Sequence, residues 1–139
     1  MIQLIVGNKG KGKTKQLLDK VNEEIKNVSG NIVYVDKSTK HMYDLNNRIR
    51  LINASDYIIS TPDEFKGFIS GIIAADHDLE QIYVDSLLEI ACQEGDQYLD
   101  ILEKLDKLTD KYDIKLVATI SRDVEEIPEQ FKDKVVESL

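Results

Sequence analysis

The sequence predicts an α/β fold, a three-layer αβα sandwich with a central, mostly parallel sheet of five strands. Short apolar runs alternate with segments that carry apolar residues at helical spacing. Each of the first four runs ends at a glycine, an aspartate or a serine. Strands that alternate with helices indicate right-handed crossovers and a parallel sheet covered on both faces. The five expected strands are Ile2–Val6, Ile32–Val35, Ile82–Val84, Leu116–Ile120 and Val135–Val136.

Helical periodicity fills the intervals between these runs. The first helix is expected from Thr14 to about residue 27, with its apolar residues on one face. A second helix is expected to start after Thr61, a typical N-cap that Pro62 follows at the first helical position. A long helix is expected within residues 95–111. Residues 37–61 are less regular, and short strands at Arg48–Asn53 and Tyr57–Ser60 are alternatives to an irregular loop.

Length and charge limit the classes of function. A chain of 139 residues is expected to form one domain over residues 1–139. The net charge of -8 argues against a general nucleic-acid binder, because phosphate contacts need a basic surface. The single cysteine, Cys92, excludes an internal disulfide and a zinc site built from several cysteines. No secretory signal and no apolar stretch of about 20 residues is present, so we expect a cytoplasmic protein without a membrane span.

The stretch LIVGNKGKGKTKQLL carries the clearest functional motif. It matches the pattern G-x-x-x-x-G-K-[ST], in which glycines let successive backbone N–H groups point at phosphate oxygens. Lys13 is expected to reach the β- and γ-phosphates, and the Thr14 hydroxyl to bind Mg²⁺. For Lys9, Lys11 and Lys15 a solvated role is favoured over a specific one. The candidate nucleotide-binding residues are Gly7, Asn8, Lys9, Gly10, Lys11, Gly12, Lys13, Thr14 and Lys15.

Polar residues follow the other expected strands. In parallel sheets ligands bind beyond the carboxyl ends of the strands, and Asp36, Asp85 and Ser121 all lie at such ends. Asp85, in QIYVDSLLEI, is placed to act on Mg²⁺ through its water shell. The alternative is that Asp85 caps the next helix, a role for which Ser86 competes. Given the glycine-rich motif, the metal role is favoured.

Together these motifs resemble the RecA-like division of P-loop NTPases, and the resemblance extends over most of the chain. It implies a sheet in which the fourth strand lies between the phosphate-loop strand and the strand that ends at Asp85. It also implies Mg²⁺–ATP as the ligand, with Ser121 or Thr119 as the sensor of the γ-phosphate. Apart from the resemblance, Arg122 follows the fourth strand and is a less favoured candidate for contact with the γ-phosphate. The segments that carry the resemblance are GKTKQLLDKVNEEI, NIVYVDKS, IYVDSLLEI and KLVATISRD.

The chain departs from that family at the catalytic carboxylate. The resemblance implies a glutamate two residues beyond the acidic end of the second strand, but Ser38 occupies that position. Asp36 is a substitute for the water-activating base, although a capping role is equally compatible with its position. Glu89 is another candidate, with a plain solvent-facing helix position as the favoured alternative. Because positioning of the attacking water is a large part of the rate, slow hydrolysis is expected.

Three functions remain open from the sequence. The leading one is a minimal ATP-binding protein with a Mg²⁺-dependent ATPase activity that is either weak or dependent on an unidentified protein partner. A small nucleotide or nucleoside kinase is the second, since GNKGKGKTKQLL also resembles the thymidine-kinase loop region; no zinc-binding lobe or lid segment accompanies it. The third is an interaction module that binds nucleotide without hydrolysing it. Adenine is favoured over guanine, because the fourth strand ends in TISRD and lacks N-K-x-D.

Overall fold

The sheet contains six strands, and every strand pair in it is parallel. The computed structural model describes residues 1–139. In chain order the strands are β1 (Ile2–Val6), β2 (Asn31–Asp36), β3 (Arg50–Asn53), β4 (Leu79–Val84), β5 (Lys115–Ile120) and β6 (Val135–Ser138). Their order across the sheet is β3-β2-β4-β5-β1-β6. The strand after the long helix, β5, therefore lies between β1 and β4, as the family resemblance implies.

Four α-helices cover the two faces of the sheet. They are α1 (Lys13–Glu24), α2 (Pro62–Ala75), α3 (Leu87–Ile90) and α4 (Leu99–Lys111). The core under α2, α3 and α4 contains 26 buried residues, whereas the core under α1 contains 10, because α1 is the main cover of its face. Short 3₁₀ turns lie at Met42–Asp44, Ala54–Asp56, Val124–Glu126 and Glu129–Lys134. No helix has the length and apolar composition needed to cross a membrane.

The start of α2 shows how local sequence sets a helix boundary. The Thr61 side chain accepts a hydrogen bond from the N–H of Glu64 at 3.1 Å, and Pro62 occupies the first turn. The Glu64 carboxylate reaches back to the backbone N–H of Ser60 at 2.8 Å. The bond to Thr61 satisfies a donor that the first helical turn leaves free, so the predicted cap is confirmed.

Two predictions for the sheet need correction. The predicted sheet had five strands, and the sixth is β3, a four-residue strand at the sheet edge that lies within Arg48–Asn53, one of the two alternative strands. Its residues are exposed or half-buried, so its apolar pattern is weaker than that of the central strands. Residues 57–60 were the other candidate strand, but they form an irregular connection that follows the 3₁₀ turn at Ala54–Asp56.

Candidate functional site

Side-chain alternation along the strands brings three polar residues to one face of the sheet. Asp36 ends β2, Asp85 directly follows β4, and Thr119 lies near the end of β5. Since successive side chains of a strand point to opposite faces, each shares its face with the residue two positions earlier. Those earlier residues belong to the core under α1, and they are Tyr34, Tyr83 and Val117. The three polar groups therefore lie on the side where α1 begins.

Residues 7–14 are called here the N-terminal loop; they comprise the connection between β1 and α1 and the first two residues of α1. Gly10 and Gly12 adopt φ values of 81° and 88°, which residues with a Cβ rarely adopt. The N–H of Gly7 donates to the carbonyl oxygen of Arg122 at 2.9 Å, which fastens the start of the loop to the segment after β5. Because α1 begins directly after Gly12, the free N–H groups of its first turn and its dipole favour an anion at this end.

Lys13 is folded back onto the N-terminal loop. Its Nζ donates to the carbonyl oxygen of Asn8 at 3.1 Å, and the side chain is buried although it carries a charge. Burial lowers the pKa of Lys13, the Asp85 carboxylate acts in the opposite direction, and Lys9 adds to the lowering. No carboxylate forms a direct ion pair with Lys13, so its charge is available to an anion that enters the loop.

The Asp85 carboxylate holds the site together. Its Oδ2 accepts a hydrogen bond from the Thr14 hydroxyl at 2.9 Å, and its Oδ1 accepts one from the Thr119 hydroxyl at 2.8 Å. The Thr119 oxygen in turn accepts the backbone N–H of Ser86 at 2.7 Å. Ser86 has a φ of 63° and its side chain makes no capping bond, so neither Asp85 nor Ser86 caps α3 in this structure.

Thr119 is the residue whose role the sequence did not identify. The resemblance named it as an alternative to Ser121 for contact with a phosphate, but its hydroxyl is buried and used to position Asp85. The signal available in the sequence was the alternation along KLVATI, which places Thr119 on the same face as Val117. A threonine at that position of a central strand is expected to need a hydrogen-bond partner.

Asp36 lies beside Asp85 at the end of the neighbouring strand. The two strand ends are joined by a hydrogen bond from the N–H of Asp85 to the carbonyl oxygen of Val35 at 3.0 Å. Asp36 Oδ1 accepts the N–H of Lys37 at 2.7 Å, whereas Oδ2 is buried without a partner. Burial raises the pKa of Asp36, and the negative charge of Asp85 raises it further, against the opposing effects of Lys37 and His41.

Glu89 is paired with a lysine. Its carboxylate lies 2.9 Å from Lys37 Nζ, and both side chains are about half exposed. This ion pair joins the segment after β2 to α3. The hydrogen bond to Glu89 is the largest of the effects that raise the pKa of Lys37. A water-activating role for Glu89 would therefore require that it leave Lys37 or share the bond.

The remaining candidates lie around the edge of this cluster. Ser121 directly follows β5, and the Arg122 guanidinium donates to the carbonyl oxygens of Ser121 and Gly95, each at 3.0 Å. Arg122 is thus used to hold the loop before α4. Lys15 pairs with Asp19 at 2.9 Å on the outer surface of α1. The exposed loop residues are Asn8, Lys9, Gly10, Lys11 and Gly12.

The donor set fits a polyphosphate with a magnesium ion. Lys13 and the backbone N–H groups of the N-terminal loop are groups that could bind phosphate, and Thr14 and Asp85 carry hard oxygen atoms of the kind that Mg²⁺ prefers. No group of three or more histidine, cysteine, aspartate or glutamate side chains is arranged to hold a metal ion. A site with one or two protein ligands suits Mg²⁺, which keeps several waters and binds substrate phosphates.

Comparison with known proteins supports the fold. No protein-family model matches the sequence, and no curated protein matches it. Among solved structures, the flagellar accessory protein FlaH from Methanocaldococcus jannaschii is similar, with a TM-score of 0.61 and 13% sequence identity. The match covers 93% of this chain and 63% of the FlaH chain, so this chain spans less than two thirds of that structure's length. The likeness, together with the strand order, shows a RecA-like α/β fold.

The position of Thr119 predicts a stability difference between two substitutions. Thr119→Val keeps the shape but leaves Asp85 Oδ1 and the N–H of Ser86 without partners, at a cost of about 1–3 kcal/mol for each buried group. Thr119→Ser keeps the hydroxyl and loses one methyl group, at about 1 kcal/mol. Urea unfolding should therefore rank Thr119→Val as clearly less stable than Thr119→Ser. Equal stabilities would contradict the positioning role.

The raised pKa of Asp36 predicts a pH-dependent effect of Asp36→Asn. A buried carboxyl with a raised pKa contributes fully to stability below its ordinary pKa of 3.8, and this contribution is lost as pH rises through the raised value. Asparagine does not ionise. The free energy of unfolding of Asp36→Asn, relative to wild type, should therefore increase with pH above that ordinary value and then level off.

Chemical unfolding at a series of pH values between about pH 4 and pH 8 measures this difference. Asp19→Asn is the control, because Asp19 is an exposed member of a surface pair with Lys15. If the difference in unfolding free energy between Asp36→Asn and wild type does not change with pH, then the charge of Asp36 does not destabilise the folded state.

Proposed function

We propose that the chain binds Mg²⁺–ATP at the N-terminal loop and hydrolyses it slowly, with a protein partner needed for faster turnover. The proposal rests on one observation above the others, the hydrogen bond of 2.9 Å between the Thr14 hydroxyl and the Asp85 carboxylate. These residues are 71 positions apart, and they meet where the N-terminal loop enters α1. A hydroxyl and a carboxylate in contact beside a phosphate-binding lysine form a suitable pair of ligands for a metal that accompanies phosphate.

The chain's own residues have distinct tasks in this proposal. The loop N–H groups and the start of α1 bind the phosphates, and Lys13 exchanges its bond to the Asn8 carbonyl for phosphate oxygens. Thr14 and Asp85 would hold Mg²⁺, which would neutralise part of the phosphate charge. Thr119 keeps the Asp85 carboxylate in place through its buried hydrogen bond.

Slow hydrolysis follows from the proposed base. Asp36 has a free, buried Oδ2 at the carboxyl end of β2, and it is the carboxyl group beside Asp85. Its raised pKa brings its proton affinity closer to that of a useful general base. However, an aspartate at the strand end does not extend as far as a glutamate two residues later, where this chain has Ser38.

A nucleotide-binding module without hydrolysis is the second candidate. The Lys37–Glu89 ion pair favours it, because Glu89, the other candidate for the water-activating base, is already bound to Lys37. Both candidates include a protein partner, and the likeness to FlaH, a flagellar accessory protein, supports such a role. The kinase alternative gains no support from the residues around the site.

Nucleotide binding is tested by thermal and chemical unfolding with and without Mg²⁺–ATP. A ligand at about one hundred times its Kd adds about 2.7 kcal/mol to the stability of the folded state. We expect this increase for wild type with ATP or ADP, a smaller one with GTP, and none for Lys13→Ala. Lys26→Ala is the matched control, because Lys26 lies beyond the end of α1 and forms an exposed pair with Glu23.

Two outcomes of this experiment would contradict the proposal. One is that no nucleotide stabilises wild type, and the other is that Lys13→Ala and Lys26→Ala respond to ATP equally. Stabilisation by GTP in preference to ATP would support the nucleotide site but show that its preferred nucleobase is guanine.

Turnover is tested separately by release of labelled phosphate under single-turnover conditions. We expect a rate constant of about 10⁻⁴ to 10⁻² s⁻¹, the range of P-loop GTPases without an activating partner. Asp36→Asn should lower it by about 10²-fold or more, because the general base is lost. Glu89→Gln should leave it nearly unchanged. Binding of ATP without any phosphate release would favour the non-hydrolysing module, and an unaffected Asp36→Asn variant would remove Asp36 as the base.

A further inference from the structure

A second concave site lies away from the N-terminal loop. It is a groove of about 630 Å³ between α2 and the amino-terminal parts of β2 and β3. Because all strands are parallel, the loop and the polar cluster lie at their carboxyl ends, whereas the groove includes residues at the amino ends, such as Asn31 and Arg50. It shares no lining residue with the N-terminal loop or with the cluster around Asp85.

The wall of the groove is apolar and partly aromatic. Ile52 of β3 and Ile72 of α2 face it, and both are only half-buried. The rings of Tyr57 and Phe68 pack together with their centroids 5.9 Å apart, and both line the groove. Tyr57 remains 54% exposed although its ring is part of this apolar wall. Apolar surface of this kind gains free energy when a ligand removes it from water.

Two arginines give the groove a positive end. The chain has only three arginines and a net charge of -8, yet Arg48 and Arg50 both line this groove. Arg48 is anchored, since its guanidinium donates to the carbonyl oxygens of Ile25 and Val28 at 3.1 and 3.4 Å. Arg50 is exposed, and its guanidinium has no ion-pair or hydrogen-bond partner. A guanidinium in that state can bind a carboxylate or phosphate in a bidentate manner.

The one acidic lining residue is already engaged. Asp76 accepts a hydrogen bond from the Asn31 side chain at 2.8 Å and another from the N–H of Asp78 at 2.9 Å. It forms no ion pair with either arginine, and no other carboxylate lines the groove. Neither arginine is therefore ion-paired within the groove, although Asp76 keeps its own charge.

Gly71 keeps the groove open on the side of α2. It lies inside a helix, where glycine is unfavourable relative to alanine, and a Cβ added there would meet no atom within 4 Å. The packing of the protein therefore gives no reason for a glycine at this position. Its absent side chain leaves free volume on the groove surface.

We propose that this groove binds a small amphiphilic anion, a molecule with an apolar chain or ring and a carboxylate, sulfate or phosphate group. The apolar part lies against Tyr57, Phe68 and Ile72, and the anionic group binds Arg50. The volume of about 630 Å³ is within the range of about 300–1,000 Å³ typical of small-molecule sites. An apolar wall together with one guanidinium that has no ion-pair partner favours this class of ligand.

Fluorescence of 8-anilinonaphthalene-1-sulfonate, an aromatic anion, tests the proposal on the full chain. We expect saturable binding of one dye per chain, displaced by decanoate and much less by the neutral decanol. Arg50→Gln should weaken the binding of decanoate about tenfold, because one charged hydrogen-bonding partner is lost, and should change the binding of decanol little. Lys13→Ala should bind the dye as wild type does, which separates this groove from the N-terminal loop.

Gly71→Leu and Gly67→Leu form a matched pair of variants. The first places a side chain in the groove, and the second leaves the groove open. Both glycines lie in α2 with open space around an added Cβ, and leucine is the better helix former, so both variants should stay folded. Only Gly71 lines the groove. We expect Gly71→Leu to weaken the binding of the dye and of decanoate at least tenfold. Gly67→Leu should bind both as wild type does. Circular dichroism checks the helix content of both variants.

Three outcomes would overturn the proposal. Non-saturable dye fluorescence would show that no defined site exists. Equal affinity of Gly71→Leu and wild type would place the dye elsewhere, and equal displacement by decanol and decanoate would remove the role of Arg50. If the small anions fail but an acidic peptide binds in a manner that Gly71→Leu abolishes, the groove is a peptide site and the proposed ligand class is wrong.

Discussion

The two hydrogen bonds accepted by the Asp85 carboxylate are the constraint on which the site depends. One comes from Thr14 at the start of α1 and the other from Thr119 in β5, so a single side chain after β4 joins three elements. The sheet order makes this possible, because β5 lies between β4 and β1. The N-terminal loop is thereby held between the strand it follows and the carboxylate that faces it. In such an arrangement the ligand groups are already placed before any ligand binds, which lowers the ordering cost of binding.

The same arrangement leaves negative charge that the protein does not neutralise. Asp36 and Asp85 end neighbouring strands, and Asp36 Oδ2 is buried without a partner. Burial is the main cause that raises the pKa of the Tyr34 hydroxyl, and Asp85 and Asp36 both add to it, so the effect of these carboxylates extends into the core under α1. Charges of this kind cost stability, and they persist at sites where a bound cation or a proton compensates for them. The proposed function gives these carboxylates a purpose that the fold alone does not.

The sequence was sufficient to predict the architecture and most of the residues near the site. The central strands have continuous apolar runs because both faces are buried, whereas β3 was ambiguous because an edge strand of four residues is only half-buried. Strand-end positions pointed to Asp36 and Asp85, since topology alone brings such ends together. The ion pair between Lys37 and Glu89 could not be predicted, because the partners are exposed, lie 52 positions apart and carry no periodic pattern. The role of Thr119 was missed because a hydrogen bond across strands depends on register, which a single sequence does not fix.

The central claim is that Thr14 and Asp85 form a metal site at the N-terminal loop. It is tested most directly by a crystal structure with Mn²⁺ in place of Mg²⁺ and a non-hydrolysable ATP analogue, with the metal located by its anomalous signal. We expect a metal peak about 2.1 Å from the Thr14 hydroxyl oxygen, with phosphate oxygens as further ligands and Asp85 bound directly or through one water. A nucleotide bound away from residues 7–14, or a metal peak that neither Thr14 nor Asp85 approaches, would contradict the account.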